Sequence, residues 1–265
     1  PLNVSREILQ DDPYVEGIKK ALTKRVLDEL AKLKSKDFTA YESFWKEYGL
    51  VLKEGPAEDF ENKDTIASLM LFSSTYNPDN TINQTLDDYI DRMQSDQDKI
   101  YYIVADTYEA AKNSPHLEGL KSKNTEVLLL TDRIDEWLMA SLGSYKDKEI
   151  INVTKDNILD NEKPQEVSDS DKDVLSKIKS YLGDRVSDVI ASSRLTDSAS
   201  CLVLSKNDPG AQLKKILEAA GQNVQDTSPI FEINTKHKLY KKLNIFLILR
   251  VKGEILGLMA PRIRE

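Results

Sequence analysis

Cysteine is nearly absent. Cys201 is the only one in 265 residues, which rules out an internal disulfide and fits a reducing, cytoplasmic setting. The two histidines, His116 and His237, stand far apart and leave no credible zinc set. No apolar run approaches the length of a bilayer span, and the opening PLNVSREILQ lacks the charged-then-apolar pattern of a signal peptide, so no membrane partner is expected. Neither GxxxxGK[ST] nor GxSxG occurs, so the common phosphate cradle and nucleophile elbow are both missing. An excess of positive charge is missing as well. The formal net charge of −8 argues against a nucleic-acid partner, with His237–Lys242 read as a short basic stretch on a solvated face.

What remains is a chain with 40% hydrophobic and 31% charged residues, the composition of a helix-rich globular protein with wide solvated surfaces. It has no initiator Met and begins in mid-pattern, so a fragment of a longer protein is expected.

The organising stretch is Lys99–Trp137. Two apolar runs, Ile100–Ala105 and Val127–Leu130, flank about twenty residues of helical pattern, broken at Pro115. Continuous apolar runs of this length read as strands buried on both faces, and a helix between two of them reads as a parallel βαβ crossover. The turn after the first strand, ADTYEAAKNSP, contains no glycine, so it lacks the close backbone approach that a pyrophosphate needs. A second helix follows and presents the exposed-looking pair Glu136 and Trp137.

Upstream, Pro13 opens a helix with Val15, Ile18, Leu22, Val26, Leu30 and Leu33 in one apolar stripe. Phe38–Tyr48 forms an aromatic helix expected to end at Gly49, followed by a turn through Pro56 and a helix over Ala57–Phe72. Thr85 and Asp88 make a capping-box start for Leu86–Met93. Downstream, Glu149–Lys155 reads as a strand, and the acidic segment Asp156–Asp173 as the domain boundary. Beyond it come a helix over Asp173–Leu182, a strand pair Val186–Arg194 and Ser200–Leu204 around the turn Thr196–Ser198, an amphipathic helix after Asp208-Pro209, and a strand at Pro229–Asn234. The expected fold is thus α/β and α+β. A helical segment covers 13–76, an αβα subdomain with the parallel βαβ unit covers 77–158, and a mixed α+β domain covers 159–265.

Little catalytic chemistry survives inspection. Cys201, next to Leu202, Val203 and Leu204, reads as an inert core thiol. The acidic pairs, Asp132/Asp135 among them, suit helix N-termini. Two features stand out. Arg6 and Gln10 lie four residues apart on one side of a turn. Arginine can neutralise phosphoryl charge from outside a nucleotide pocket, although spacing alone fits an ordinary salt bridge to Glu7 or Asp11 better. The helices bearing Trp137 and Leu213 carry apolar side chains that either pack or bind.

PLNVSREILQ, GLVLKEGPAEDF, KIYYIVAD, SPHLEGL, EVLLLTDRIDEW and RLTD, in this order and spacing, resemble the ninety-kilodalton heat-shock chaperones, nearest their bacterial branch, from Pro1 to about Leu243. The resemblance implies part of the middle domain (1–158) and the C-terminal dimerisation-type domain (159–265) of a homodimeric, ATP-dependent chaperone of the stress response. By that resemblance Arg6 and Gln10 assist ATP hydrolysis in the protein's own N-terminal domain, where ATP and magnesium bind. It further implies that this chain itself holds no cofactor and no metal and is not an enzyme alone. Glu136, Trp137, Leu213, Ile216 and Leu217 take the positions of contacts to partly folded clients. The tail Asn244–Glu265 departs from the family's helical pattern, which puts dimerisation by this chain in question. A non-catalytic scaffold module for folded partners is the alternative.

Overall fold

A computed structural model describes residues 13–77, 79–155, 167–205, 208, 210, 214, 217–219, 221 and 227–244. The expected α/β and α+β architecture is found. Helix α1 (Pro13–Lys36) and helix α2 (Phe38–Glu58) form a hairpin, with Asp37 capping α2 by accepting a hydrogen bond from the Ala40 amide. A 3₁₀ turn at Phe60–Asn62 leads into α3 (Lys63–Leu69).

Four expectations change in this segment. Gly49 does not end the second helix, and the stretch through Pro56 is not a turn, because α2 runs on unbroken to Glu58. Gly49 is there for close approach: a β-carbon on it would lie 2.8 Å from Cε2 of Trp45, whose ring folds over the helix backbone. The helix expected over Ala57–Phe72 is accordingly shorter, split by the 3₁₀ turn. The apolar stripe of α1 is only partly core. Leu27 is buried and Leu30 and Leu33 pack beside it, but Ile18, Leu22 and Val26 are 60%, 59% and 56% exposed. Periodicity identifies the face of a helix, not whether a neighbour reaches along its whole length.

The sheet carries out the expected crossover. Strand β1 (Ser73–Ser74) and α4 (Leu86–Arg92) precede β2 (Lys99–Val104). Then come α5 (Tyr108–Lys112), a 3₁₀ turn at Pro115–Leu117, α6 (Glu118–Ser122), β3 (Leu128–Leu130), α7 (Asp135–Leu142), β4 (Ser144–Tyr145) and β5 (Lys148–Asn152). The strand order is β1-β3-β2-β5-β4, with β2 parallel to both β3 and β5. Alternation divides the strand residues between two cores. Ile100, Tyr102, Leu128 and Leu130 face the helical segment and α7, while Tyr101, Ile103, Val127 and Leu129 pack with Leu117 and Leu120 of the crossover. Thr85 and Asp88 close the capping box of α4 reciprocally, each side chain accepting the other's amide at 3.0 Å.

Past the boundary segment, most of which lies outside the described residues, Ser168 caps α8 (Asp169–Leu182). That helix starts four residues before the expected Asp173. Strands β6 (Asp188–Ala191) and β7 (Ser200–Val203) do not pair with each other as expected. Strand β8 (Ile230–Ile233) lies between them, parallel to β6 and antiparallel to β7. The loop 192–199 is too long for a tight hairpin turn and is engaged elsewhere.

Candidate functional site

Helix α7 is held from below by an ion cluster. Lys53, on the continued part of α2, donates from Nζ to Asp132 Oδ2 and Asp135 Oδ1, both at 2.7 Å. Asp135 is fully buried, and its other oxygen accepts the Asp132 amide at 2.9 Å. Burial raises the Asp135 carboxyl above the ordinary aspartate range, against the pull of the Lys53 ammonium. The acidic pair expected to serve only the helix dipole is therefore an anchor. Only an unbroken α2 brings Lys53 to it.

On this anchored helix the expected pair behaves unequally. Trp137 is half-buried, whereas Glu136, expected to be exposed, is buried. The reason is Gly210. A β-carbon built there would lie 2.5 Å from Glu136 Oε1, so the carboxylate already fills that space. Gly210 belongs to a turn tied to Asp208, which is buried. The Gly210 amide donates to Asp208 Oδ1 at 2.8 Å, and Lys214 Nζ donates to Oδ2 at 2.9 Å, where the Thr227 hydroxyl also donates. Burial works to raise the Asp208 carboxyl, but the Thr227, Gly210 and Lys214 donors hold it below its usual value. Lys214 and 217–219 are helical, and Leu217 is half-buried. Leu213 and Ile216 lie outside the described residues, as do Arg6 and Gln10. The structure thus brings Glu136 against the Gly210 turn, whose carbonyl accepts the Lys214 amide, with Trp137 the next residue on α7.

A second contact joins the αβα part to the β6–β7 loop. The Glu118 carboxylate accepts the amides of Thr196, Asp197 and Ser198 at 2.7, 2.9 and 3.1 Å, and the Ser198 hydroxyl at 2.5 Å. Although burial raises it, these donors bring the Glu118 carboxyl below its ordinary value. Behind the loop, buried Arg194 pairs with buried Glu232 through two parallel bonds, Nε–Oε2 at 2.9 Å and Nη2–Oε1 at 3.1 Å, while Ser192 Oγ donates to Oε2 at 2.8 Å. Cys201 lies against this pair and is buried, with its thiol pushed up to about 12 first by burial. That fits the inert role expected of it. Burial first, and then the nearby Arg194 charge, depress His116 to about 4.

Lys53, Gly210 and Glu118 escaped the sequence reading, which took Asp208 only as the start of a helix. Asp-Pro-Gly is a turn signal, but its partner Glu136 lies about seventy residues away, and no local pattern points there. Among the described residues there is no group of three or more metal-ligating side chains, and no helix is long and apolar enough to cross a membrane.

A family model described as Hsp90 protein matches residues 1–247 of the chain. Relatives named chaperone protein HtpG also match most of the chain. The one from Legionella pneumophila (strain Paris) is 48% identical over 249 residues, and the one from Shewanella amazonensis 48% identical over 252. That from Shewanella frigidimarina is 47% identical over 252 residues. In each case 92% of this chain is matched, and it spans 40% of the relative's length.

Proposed function

Because this chain belongs to the Hsp90 family, we propose that it is the client-binding portion of an Hsp90-type molecular chaperone working in the cytoplasm. Trp137, Leu213, Ile216 and Leu217 form the surface that takes partly folded proteins. Glu136 belongs to the same surface. The reading is supported chiefly by the meeting of Glu136 with Gly210, two residues from distant parts of the sequence, which brings α7 against the turn that precedes Lys214. Apolar side chains with charged neighbours suit a client whose core is incompletely buried.

The whole protein is a homodimer that hydrolyses ATP in an N-terminal domain where ATP and magnesium bind. Arg6 reaches from this chain toward the γ-phosphate, and Gln10 supports it. Arginine suits this task because its fork stabilises charge as it develops on the phosphoryl oxygens. This chain alone is then not an ATPase.

Two experiments test the reading. Suppression of the aggregation of an unfolded test protein by the chain is expected to fall severalfold in Trp137→Ala, the order of loss when a partly buried aromatic anchor is truncated. Equal suppression by both forms, or none by either, would leave a scaffold for folded partners as the better description. In the whole chaperone, Arg6→Ala is expected to slow ATP turnover by roughly 10²-fold while ATP affinity changes little, because the side chain acts on transition-state charge. Parallel loss of turnover and affinity would remove that role.

A further inference from the structure

Glu136 and Trp137 are neighbours on α7, but only one of them has a face for an incoming polypeptide. Trp137 is half-buried, whereas the Glu136 side chain is enclosed, leaving the residue 9% exposed. On one side stands Tyr102 of β2, itself buried. Its hydroxyl is pushed up to about 12 by burial and then by the Glu136 charge. On the other side is the Gly210 backbone. A β-carbon there would meet Oε1, Cδ and Oε2 of Glu136 at 2.5, 2.6 and 2.8 Å, closer than side chains pack.

The backbone at Gly210 cannot slide away. Its φ of +93° is one that other residues adopt only under strain. Its amide is tied to Asp208, and its carbonyl accepts the Lys214 amide at 3.0 Å, the first turn of the Leu217 helix. Lys214 is held a second time, through Nζ, by the same Asp208. A displacement of Gly210 therefore carries the start of that helix with it.

We infer that Glu136 is a positioning residue of the client surface: its carboxylate seats Gly210 and so fixes the start of the Leu217 helix against α7, without touching client itself. The inference rests on the client surface proposed above and divides its two α7 residues by role. Trp137 makes contact, and Glu136 acts through Gly210. The carboxylate occupies the volume that Gly210 leaves open.

The test is a double-mutant cycle on the complete chain, titrated against fluorescently labelled, reduced and carboxymethylated lactalbumin as a permanently unfolded client. Amide hydrogen exchange is measured alongside at Lys214 and residues 217–219. Glu136→Ala and Gly210→Ala are each expected to weaken binding about tenfold or more and to speed exchange at those amides, and the double variant should be no worse than Gly210→Ala, which already carries both the broken contact and the backbone strain at φ +93°. Glu136→Gln keeps the shape and should bind within about twofold of the parent, with exchange unchanged. If the two single effects multiply, or if Glu136→Gln loses as much as Glu136→Ala, the client reads the charge directly and the seat is wrong. Unchanged exchange in Glu136→Ala would also overturn it. Failure of the client surface itself looks different. There, Trp137→Ala leaves affinity intact, while Glu136→Ala still exposes the 214–219 amides and so upholds the seat.

Discussion

Lys53→Met is expected to destabilise the protein by about 3–5 kcal/mol, the penalty for leaving one member of a buried ion pair without its partner. Asp135 is fully buried and its Oδ1 takes a bond from Lys53 Nζ, so the variant leaves a carboxylate in a dry site with only the Asp132 amide to support it. Urea unfolding at neutral pH measures the loss. The pH dependence has a definite sign. The folded Asp135 carboxyl lies above the ordinary value through burial, and removing the Lys53 ammonium, which lowers it, takes it higher still. The folded variant then binds more protons than its unfolded chain, so its deficit shrinks as the pH falls from neutral toward the ordinary aspartate range and grows as the pH rises. Glu118 and Asp208 titrate in the opposite sense, their folded values lying below the ordinary ones, and they lose stabilisation as the pH falls. Comparing variant with parent at each pH cancels that common slope. Lys53→Met combined with Asp135→Asn should recover most of the stability, because Asn accepts the Asp132 amide without a charge. A double variant as unstable as the single one would show that Lys53 matters through packing instead.

Glu232→Ala is the second large effect, again about 3–5 kcal/mol, because the guanidinium of Arg194 would be left buried and uncompensated. Glu232 sits on the central strand β8, and its two oxygens take both forks of Arg194 as well as the Ser192 hydroxyl. The loss reaches beyond the strand, since Arg194 also donates from Nη1 to the Val153 carbonyl at 3.3 Å, and the next residues of its loop hold Glu118. The single cysteine reports on it. Cys201 Sγ lies 3.9 Å from Glu232 Oε2 and is buried, so a thiol reagent should modify it slowly in the parent and much faster in Glu232→Ala. Arg194→Lys should fall between them, because an ammonium replaces two parallel bonds by a point charge. Unaltered melting and unaltered thiol reactivity in Glu232→Ala would mean that the pair is dispensable.

The elements easiest to read were those whose signals are local. The apolar runs around Tyr101 and Leu129 announced doubly buried parallel strands because every side chain on such a strand meets a core. Thr85 and Asp88 announced a helix start because a capping box closes within four residues. Gly49 misled for a physical reason. The same absence of a β-carbon that ends helices also lets an indole lie against one, and which use applies depends on Trp45. Pairing β6 with β7 failed because adjacency in sequence favours a hairpin, while β8 supplies the better partner for both edges.

By itself, then, the sequence determined the main strands and helices of the αβα part, though not the two-residue strands β1 and β4 at its sheet edges, together with the family resemblance and the apolar character of Trp137 and Leu217. Only the tertiary structure decided that Lys53 anchors α7, that Glu136 is enclosed, and that Gly210 lies against it. Contacts across some seventy to eighty residues have no periodic trace along the chain; they exist only where packing closes the distance.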